Sequence, residues 1–141
     1  VIDVNLTGVF LCGREAAAKM VETGAEEGVI VNISSLARQG SFGQSNYSAA
    51  KSGVAAMAET WAKELARYNI RTGAVAPGTI NTPAYGTAAD QLEQYWAPQV
   101  PFPKRMGRST EYAQMAQSII ENDYLNGEII RLDGALRFPP K

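Results

Sequence analysis

The chain of 141 residues is 45% apolar and 19% charged, a composition typical of a single folded domain. Its formal net charge of −1 gives no electrostatic reason to expect nucleic acid or an anionic membrane as a partner, and no segment approaches the roughly 20 apolar residues of a membrane-spanning helix. The sequence has no histidine, which excludes histidine-activated serine or cysteine nucleophiles and leaves no candidate metal cluster. Cys12 is the single cysteine, so we expect a buried apolar thiol and a reducing, cytoplasmic location.

The first half of the chain predicts two helices that flank a buried strand. An uncapped apolar helical pattern that begins around Val4 should continue to about Glu22 and stop at Gly24. Residues 28–34 form a near-continuous β-branched run, which is typical of a strand buried on both faces of a parallel sheet. After a polar loop, the segment from about residue 46 to residue 68 has apolar residues at helical spacing and predicts a long helix.

The second half predicts shorter elements. They are a strand over 70–76 that Pro77-Gly78 breaks, a short helix around 88–97 within a long loop, a helix over 109–121 with Ser109 as its cap, a strand over 129–132, and an exposed tail from 137 to 141. Strands that alternate with helices imply parallel strands joined by right-handed crossovers. The sequence therefore predicts an α/β fold built as half of a doubly wound parallel sheet.

Tyr47 and Lys51 are the pair of residues best suited to proton transfer. Their spacing of four places a phenol and an ammonium on one face of a helix, about one turn apart. A free phenol loses its proton only near pH ~10, and a neighbouring cation stabilises the phenolate. Taken alone, such a pair is more often part of a solvated helix face than of a catalytic site.

Two further segments end neighbouring predicted strands. Asn32-Ile33-Ser34-Ser35 closes the strand before Tyr47, at the edge where open parallel sheets place their active sites. The segment 75–83 leaves the next strand through Pro77-Gly78, and its backbone amides and the Thr82 hydroxyl could bind a carboxamide. Taken alone, each segment is more often a plain turn with satisfied hydrogen bonds than part of a site.

In their order and spacing, these motifs resemble those of the short-chain dehydrogenase/reductase family across essentially the whole chain. The resemblance implies that residues 1–141 are the catalytic half of a single domain, the carboxy-terminal half of a Rossmann-like doubly wound parallel sheet. The nucleotide-binding half, with its glycine-rich turn, would then precede Val1. The matching segments are 4–8, 32–35, 47–51, 77–83 and 132–134.

The resemblance also implies bound NAD or NADP and a proton-transfer tetrad. Tyr47 would be the general acid/base, Lys51 would assist it and hold the nicotinamide ribose, and Ser35 would orient the substrate carbonyl. Asn5 would position a water molecule that links Lys51 to solvent. The cofactor-binding residues that the family pattern implies are Tyr47, Lys51, Pro77, Gly78, Ile80 and Thr82.

The catalytic serine has an alternative. The step from Ser35 to Tyr47 is about one residue shorter than the commonest spacing in the family, which Ser34 would satisfy. We prefer Ser35 because the second serine of this motif normally follows the strand, and because a deletion in a surface loop is tolerated easily. Ser34 stays open as the alternative.

The carboxy-terminal segments narrow the range of candidate substrates. Residues 100–107 and 119–134 resemble the branch that contains type II 3-hydroxyacyl-CoA dehydrogenases and 3-oxoacyl-(acyl-carrier-protein) reductases. The implied reaction interconverts a 3-oxoacyl and a 3-hydroxyacyl thioester, although these residues could instead only shape the core and an oligomer interface. The family also suggests homodimers or homotetramers packed through the first helix and the helix 46–68. The alternative function is an inactive fragment that at most dimerises or binds a partner.

Overall fold

The computed structural model describes residues 1–139, which form four α-helices, a three-stranded sheet and a separate pair of short strands. One helix precedes the first strand of the sheet, two others lie directly before its second and third strands, and the fourth lies in the long segment after the central strand. The α-helices are α1 (Gly8–Glu22), α2 (Ser45–Glu64), α3 (Ala89–Trp96) and α4 (Ser109–Glu121), and the strands are β1 (Gly28–Ile33), β2 (Ile70–Pro77), β3 (Ile80–Asn81), β4 (Gly107–Arg108) and β5 (Ile129–Leu132).

The main sheet has the order β1-β2-β5, and both of its strand pairs are parallel. Ile33 at the end of β1 lies opposite Val75, and Pro77 at the end of β2 lies opposite Leu132. The central strand β2 is the most buried element, as its run of β-branched and small residues predicts. The carboxyl ends of all three strands therefore meet at one edge of the sheet.

Helices cover both faces of this sheet. The Thr72 hydroxyl, on β2, donates a hydrogen bond to the Ala58 carbonyl of α2. The preceding residue in the strand, Arg71, donates to the Ile119 and Ile120 carbonyls at the end of α4, each at 2.9 Å. Because successive side chains of a strand point to opposite faces, α2 and α4 lie on opposite sides. The predicted doubly wound α/β arrangement is confirmed.

Helix α1 packs beside α2 through its smallest residues. Gly13 and Ala17 are the buried residues of α1, and Gly13 lies against the Trp61 ring so closely that a Cβ would sit 2.6 Å from Cζ3. Cys12 is on another side of the helix and is exposed, so the prediction of a buried thiol is wrong. None of the helices within residues 1–139 is both long and apolar enough to cross a membrane.

The predicted boundaries of the two amino-terminal helices need small corrections. Residues Asp3–Thr7 form a π-helical turn that continues directly into α1, whereas the apolar pattern predicted one uniform helix. The second helix ends at Glu64 and continues as a 3₁₀ turn over Ala66–Tyr68. Asn69 follows in a left-handed conformation with φ 57°, a geometry suited to a helix end.

The carboxy-terminal part differs from prediction in its caps and in an extra strand pair. Ser109 is the first residue of α4 rather than its cap; Arg108 occupies that position, and its backbone N–H donates to the Glu111 carboxylate at 2.7 Å. The predicted loop contains β3 and β4, which pair in parallel. In the tail, Arg137 is exposed while the Phe138 ring packs on Trp96, and residues 140–141 lie outside the described part of the chain.

Candidate active site

The first two turns of α2 lie against the carboxyl end of β1. The Lys51 side chain, whose residue is 8% exposed, donates from Nζ to the Ile33 carbonyl at 2.8 Å. The same Nζ lies 5.7 Å from the centre of the half-buried Tyr47 ring. The spacing of four residues therefore places the phenol and the ammonium together at the strand end, as the sequence predicted.

Burial sets the electrostatics of Lys51. Removal of the ammonium from water lowers the pKa of Lys51, because the charged form loses hydration. Its hydrogen-bond partner, the Ile33 carbonyl, is neutral, and no carboxylate within residues 1–139 forms an ion pair with it. An anion that forms next to this ammonium would therefore be stabilised, and Tyr47 carries the neighbouring group that can become one.

The two serines after β1 have different surroundings. Ser34 is 1% exposed, and its hydroxyl donates to the Lys51 backbone carbonyl at 2.7 Å. Ser35 is half-buried, and its Oγ accepts a hydrogen bond from the Ala37 N–H at 3.1 Å. A hydroxyl that accepts still has its own proton to donate. Ser34 thus ties α2 to β1, whereas Ser35 retains a hydroxyl hydrogen that a substrate oxygen could accept.

The Pro77-Gly78 turn lies beside these serines on the neighbouring strand. The Ser34 N–H donates to the Val75 carbonyl at 2.8 Å, which extends the pairing of β1 with β2 towards the turn. The Gly78 N–H donates to the Leu132 carbonyl at 3.0 Å, and a Cβ on Gly78 would lie 2.9 Å from the Asp133 Cβ. This close approach explains why the position holds glycine and fixes where the chain leaves β2.

The segment after this turn is held by the β3–β4 pair. Ile80 pairs with Gly107, whose N–H donates to the Thr79 carbonyl at 2.9 Å. The Thr79 Oγ1 is buried and has no hydrogen-bond partner within the described chain. Thr82 is half-buried and precedes a 3₁₀ turn. A cavity of about 510 Å³, bordered by Thr79, Ile80 and Asp133 among others, adjoins this segment.

Asn5 lies in the π-helical turn that precedes α1. Its backbone N–H and side-chain amide both donate to the Val1 carbonyl, at 2.9 and 3.2 Å. The next residue, Leu6, packs on Gly53 of α2, where a Cβ would lie 2.6 Å from Leu6 Cδ1. The turn is thus placed against α2 within two residues of Lys51. Single π-helical turns occur often at functional sites.

The structure therefore brings the predicted serines, Tyr47, Lys51 and the Pro77-Gly78 turn to one edge of the sheet, with the turn that carries Asn5 packed on the same helix. Sequence reasoning missed the apolar cluster of Leu36, Val100 and Leu136, which begins at the residue after Ser35. It also missed the structural role of Ser34. Gly53 offered a signal, since a glycine inside a helix often marks close approach of another element.

The residues at this edge fit the nicotinamide end of a dinucleotide. An ammonium has three N–H groups, and one of those on Lys51 is used by Ile33, which leaves two for the hydroxyls of a ribose. The unpaired Thr79 hydroxyl shows that the segment after β2 has unused hydrogen-bonding capacity. This donor set fits the polar groups at the nicotinamide end of such a cofactor. Within residues 1–139 no group of three or more His, Cys, Asp or Glu side chains could hold a metal ion.

A parallel sheet with helices on both faces and a Tyr-Lys pair at its carboxyl edge defines a class of nucleotide-dependent oxidoreductases. The family model for short chain dehydrogenase matches residues 1–93. The chain belongs to the short-chain dehydrogenase family, as its motifs predicted.

Individual relatives show which members of the family the chain is similar to. The chain is 46% identical to the 3-hydroxyacyl-CoA dehydrogenase type-2 of Bos taurus, with 99% of this chain and 56% of that protein covered. It is 40% identical to a 3-oxoacyl-(acyl-carrier-protein) reductase of Thermotoga maritima, with 96% and 55% covered. The crystal structure of a 3-hydroxyacyl-CoA dehydrogenase type-2 from Mycobacterium avium superposes with a TM-score of 0.90 at 38% identity, over 99% of this chain and 56% of that one. The chain thus spans about half the length of these relatives and matches the corresponding part of their Rossmann fold.

Proposed function

We propose that the protein interconverts a carbonyl and a secondary alcohol with NAD or NADP, and that its substrates are 3-oxoacyl and 3-hydroxyacyl thioesters. The observation that carries this proposal is the buried Lys51 ammonium, held by the Ile33 carbonyl 5.7 Å from the Tyr47 ring. The names of the relatives at 46% and 40% identity, a 3-hydroxyacyl-CoA dehydrogenase and a 3-oxoacyl-(acyl-carrier-protein) reductase, support the thioester class of substrate.

In this proposal Tyr47 moves the proton. During reduction its hydroxyl gives a proton to the substrate oxygen, and during oxidation the phenolate takes it back. The Lys51 ammonium stabilises that phenolate, because a buried cation without a carboxylate partner gains most from a nearby anion. Ser35 donates its hydroxyl hydrogen to the substrate oxygen and orients it, while Ser34 holds α2 in register through the Lys51 carbonyl.

The cofactor would lie along the same edge. The bound nicotinamide supplies or accepts the hydride. Lys51 would hold the ribose hydroxyls with its remaining N–H groups, and the backbone of Pro77, Gly78 and Ile80 with the Thr82 hydroxyl would hold the carboxamide. Asn5, in the turn packed on α2, would place a water molecule between Lys51 and solvent. The residue that chooses between NAD and NADP would belong to the nucleotide-binding half that precedes this region in the relatives' fold.

Self-association is a further part of the proposal. Helix α1 exposes apolar side chains, with Phe10 and Leu11 each 42% and Val21 43% accessible. Apolar side chains exposed to water on a helix favour association with a like surface. We therefore propose a homodimer or homotetramer packed through α1 and α2. Light scattering at several protein concentrations tests it: a monomer throughout would contradict the proposal. The cytoplasmic location stays a prediction.

A substrate panel tests the proposed reaction. The full-length native protein is mixed with NADH or NADPH and either acetoacetyl-CoA, the free acid acetoacetate, or a simple ketone without a thioester, and nucleotide oxidation is followed by absorbance. The proposal predicts turnover with acetoacetyl-CoA that exceeds both controls by at least about tenfold in kcat/KM, the effect of about 1.4 kcal/mol of transition-state binding. Equal or greater turnover of the simple ketone would overturn the thioester assignment.

The competing function is a fragment that binds a partner but does not catalyse. Nucleotide titration separates the two, because Trp96 and Trp61 provide fluorescence signals on the substrate side and in the core. Saturable binding of NADH or NADPH by the full-length native protein supports the oxidoreductase. An absence of saturable binding together with a concentration-dependent dimer would favour the binding module.

A further inference from the structure

Helix α3 is attached to the rest of the molecule by few apolar contacts. None of its residues is buried, and Tyr95 is 62% exposed. At its carboxyl end the Trp96 ring packs on Phe138 with a centroid distance of 5.6 Å, next to the cluster of Leu36, Val100 and Leu136. Apolar burial therefore fixes one end of α3, and the position of the remaining turns depends on polar contacts.

One polar contact crosses from the middle of α3 to the loop before β4. The Glu93 carboxylate accepts a hydrogen bond from the Met106 backbone N–H at 2.8 Å. Met106 is only 2% exposed, so water has little access to replace the carboxylate. A buried N–H that loses its partner is unfavourable, which makes this bond a directional constraint on α3.

The negative charge of Glu93 also interacts with a nearby cation, Arg105. The Arg105 guanidinium bonds the Glu111 carboxylate at 2.9 and 2.6 Å. The bond to Glu111 raises the pKa of Arg105, and the negative charge of Glu93 raises it further. The Glu93 carboxylate thus accepts a bond from a backbone N–H and is also attracted by a cation that α4 holds in place through Glu111.

The loop that Glu93 contacts is continuous with the segment that would hold the nicotinamide carboxamide. Gly107 follows Met106 and pairs with Ile80, and its N–H donates to the Thr79 carbonyl. Ile80 leads directly to Thr82 and then to α3. The chain from β2 through α3 to β4 is therefore a loop whose base is closed by the β3–β4 pair, and the Glu93 bond ties the middle of α3 to Met106, next to that base.

We propose that Glu93 is a positioning residue that fixes α3 and the segment 80–82 in one arrangement, so that the substrate side of the site is closed in a single geometry. The positioning of α3 stands on the contacts alone, whereas its effect on substrate affinity rests on the proposed function. Loss of the carboxylate would free the first turns of α3. The Trp96 end would remain packed on Phe138, but less firmly. The reaction step itself, carried by Tyr47 and Lys51, would be affected less than binding.

The test compares Glu93→Ala with Glu93→Gln and with Gln94→Ala. The Gln amide oxygen can still accept the Met106 N–H, and Gln94 is an exposed neighbour on the same helix. Hydrogen exchange of the Met106 amide and acrylamide quenching of Trp96 are measured on the chain itself, with far-UV circular dichroism as the folding control. We expect Glu93→Ala to speed exchange at Met106 at least about fivefold, the effect of one lost hydrogen bond, and to increase quenching. Glu93→Gln and Gln94→Ala should stay within about twofold of wild type, smaller than one such bond.

Kinetics on the full-length native protein then tests the effect on binding. Glu93→Ala should raise the KM for substrate roughly fivefold, with kcat changed less than about twofold. Unchanged exchange and quenching in Glu93→Ala would overturn the positioning of α3 by Glu93. Faster exchange without any change in KM would overturn the proposed effect of that positioning on substrate binding. If Glu93→Ala does not fold, Glu93→Asp, which keeps the charge but shortens the reach, replaces it with the same expected changes. If the wild type has no turnover, the proposed function fails, while the exchange result still decides whether Glu93 holds α3.

Discussion

Replacing each of the two adjacent serines by alanine tests whether Ser34 is the structural hydroxyl and Ser35 the catalytic one, as we propose. Ser34→Ala removes the bond from a 1% exposed hydroxyl to the Lys51 carbonyl at 2.7 Å. That carbonyl lies within α2, where the helical N–H four residues later still bonds it. The loss is therefore that of one buried hydrogen bond with no orphaned acceptor, about 1 kcal/mol, which lowers the Tm by roughly 3–6 °C.

Ser35→Ala should have a similar effect on stability and a very different effect on activity. It removes the acceptor of the Ala37 N–H, a half-buried bond of 3.1 Å that is also worth about 1 kcal/mol. It additionally removes the hydroxyl that we propose as donor to the substrate oxygen, and loss of one such donor lowers kcat by about 10²–10³. Since both variants lose comparable stability, a difference in kcat between them cannot be attributed to folding.

The assay combines urea unfolding with steady-state kinetics on acetoacetyl-CoA, in the full-length native protein. Ser34→Ala is expected to keep kcat within about tenfold of wild type, the kinetic equivalent of less than 1.4 kcal/mol. Ser35→Thr, which retains a hydroxyl, should recover part of the activity that Ser35→Ala loses. The reasoning is refuted if Ser34→Ala loses at least a hundredfold while Ser35→Ala stays near wild type, because Ser34 would then be the catalytic serine.

Two further predictions concern stability. Gly13→Ala would place a Cβ within 2.6 Å of the buried Trp61 ring and should lower the free energy of unfolding in urea by about 1–2 kcal/mol. In the control Gly8→Ala, in the same helix, the new Cβ meets its nearest atom at 3.4 Å and should not destabilise the protein. Equal effects of the two variants would contradict this packing. The bond to Arg105 lowers the pKa of Glu111 to about 2 from 4.5, so the unfolded chain binds the proton more readily. The stability that this pair contributes is complete above pH 4.5 and is lost as the pH falls to about 2. In urea titrations over this pH range, the free energy of unfolding of Glu111→Gln should not show that decrease.

The strands and the long helix could be predicted because their signals are local. The β-branched run of 28–34 and the small, apolar run of 70–76 predicted parallel strands close to the observed bounds, Gly28–Ile33 and Ile70–Pro77. The second strand is largely buried as expected, but the prediction that the first is buried on both faces is wrong, since it is mostly half-buried and Ile33 at its end is exposed. Helical spacing alone placed Tyr47 and Lys51 on one face of α2. These features depend on residues near one another in sequence.

The features that were missed depend on contacts between distant segments. Strands β3 and β4 have two residues each and form only because the loop before α4 returns to Ile80, so neither carries a periodic signal. The role of Ser34 depends on where α2 places the Lys51 carbonyl. Helical periodicity likewise could not tell which side of α1 meets the sheet, and Cys12 was placed on the wrong side for that reason.

The central claim is that the Tyr47 hydroxyl transfers the proton under the influence of Lys51. The most direct measurement is kcat for Tyr47→Phe beside Tyr68→Phe, a matched change at a 39% exposed tyrosine beyond the other end of the same helix. Both variants should keep wild-type circular dichroism and nucleotide binding. The account predicts that Tyr47→Phe lowers kcat by about 10²–10⁴ while Tyr68→Phe leaves it unchanged. A Tyr47→Phe enzyme with near-normal kcat would contradict it.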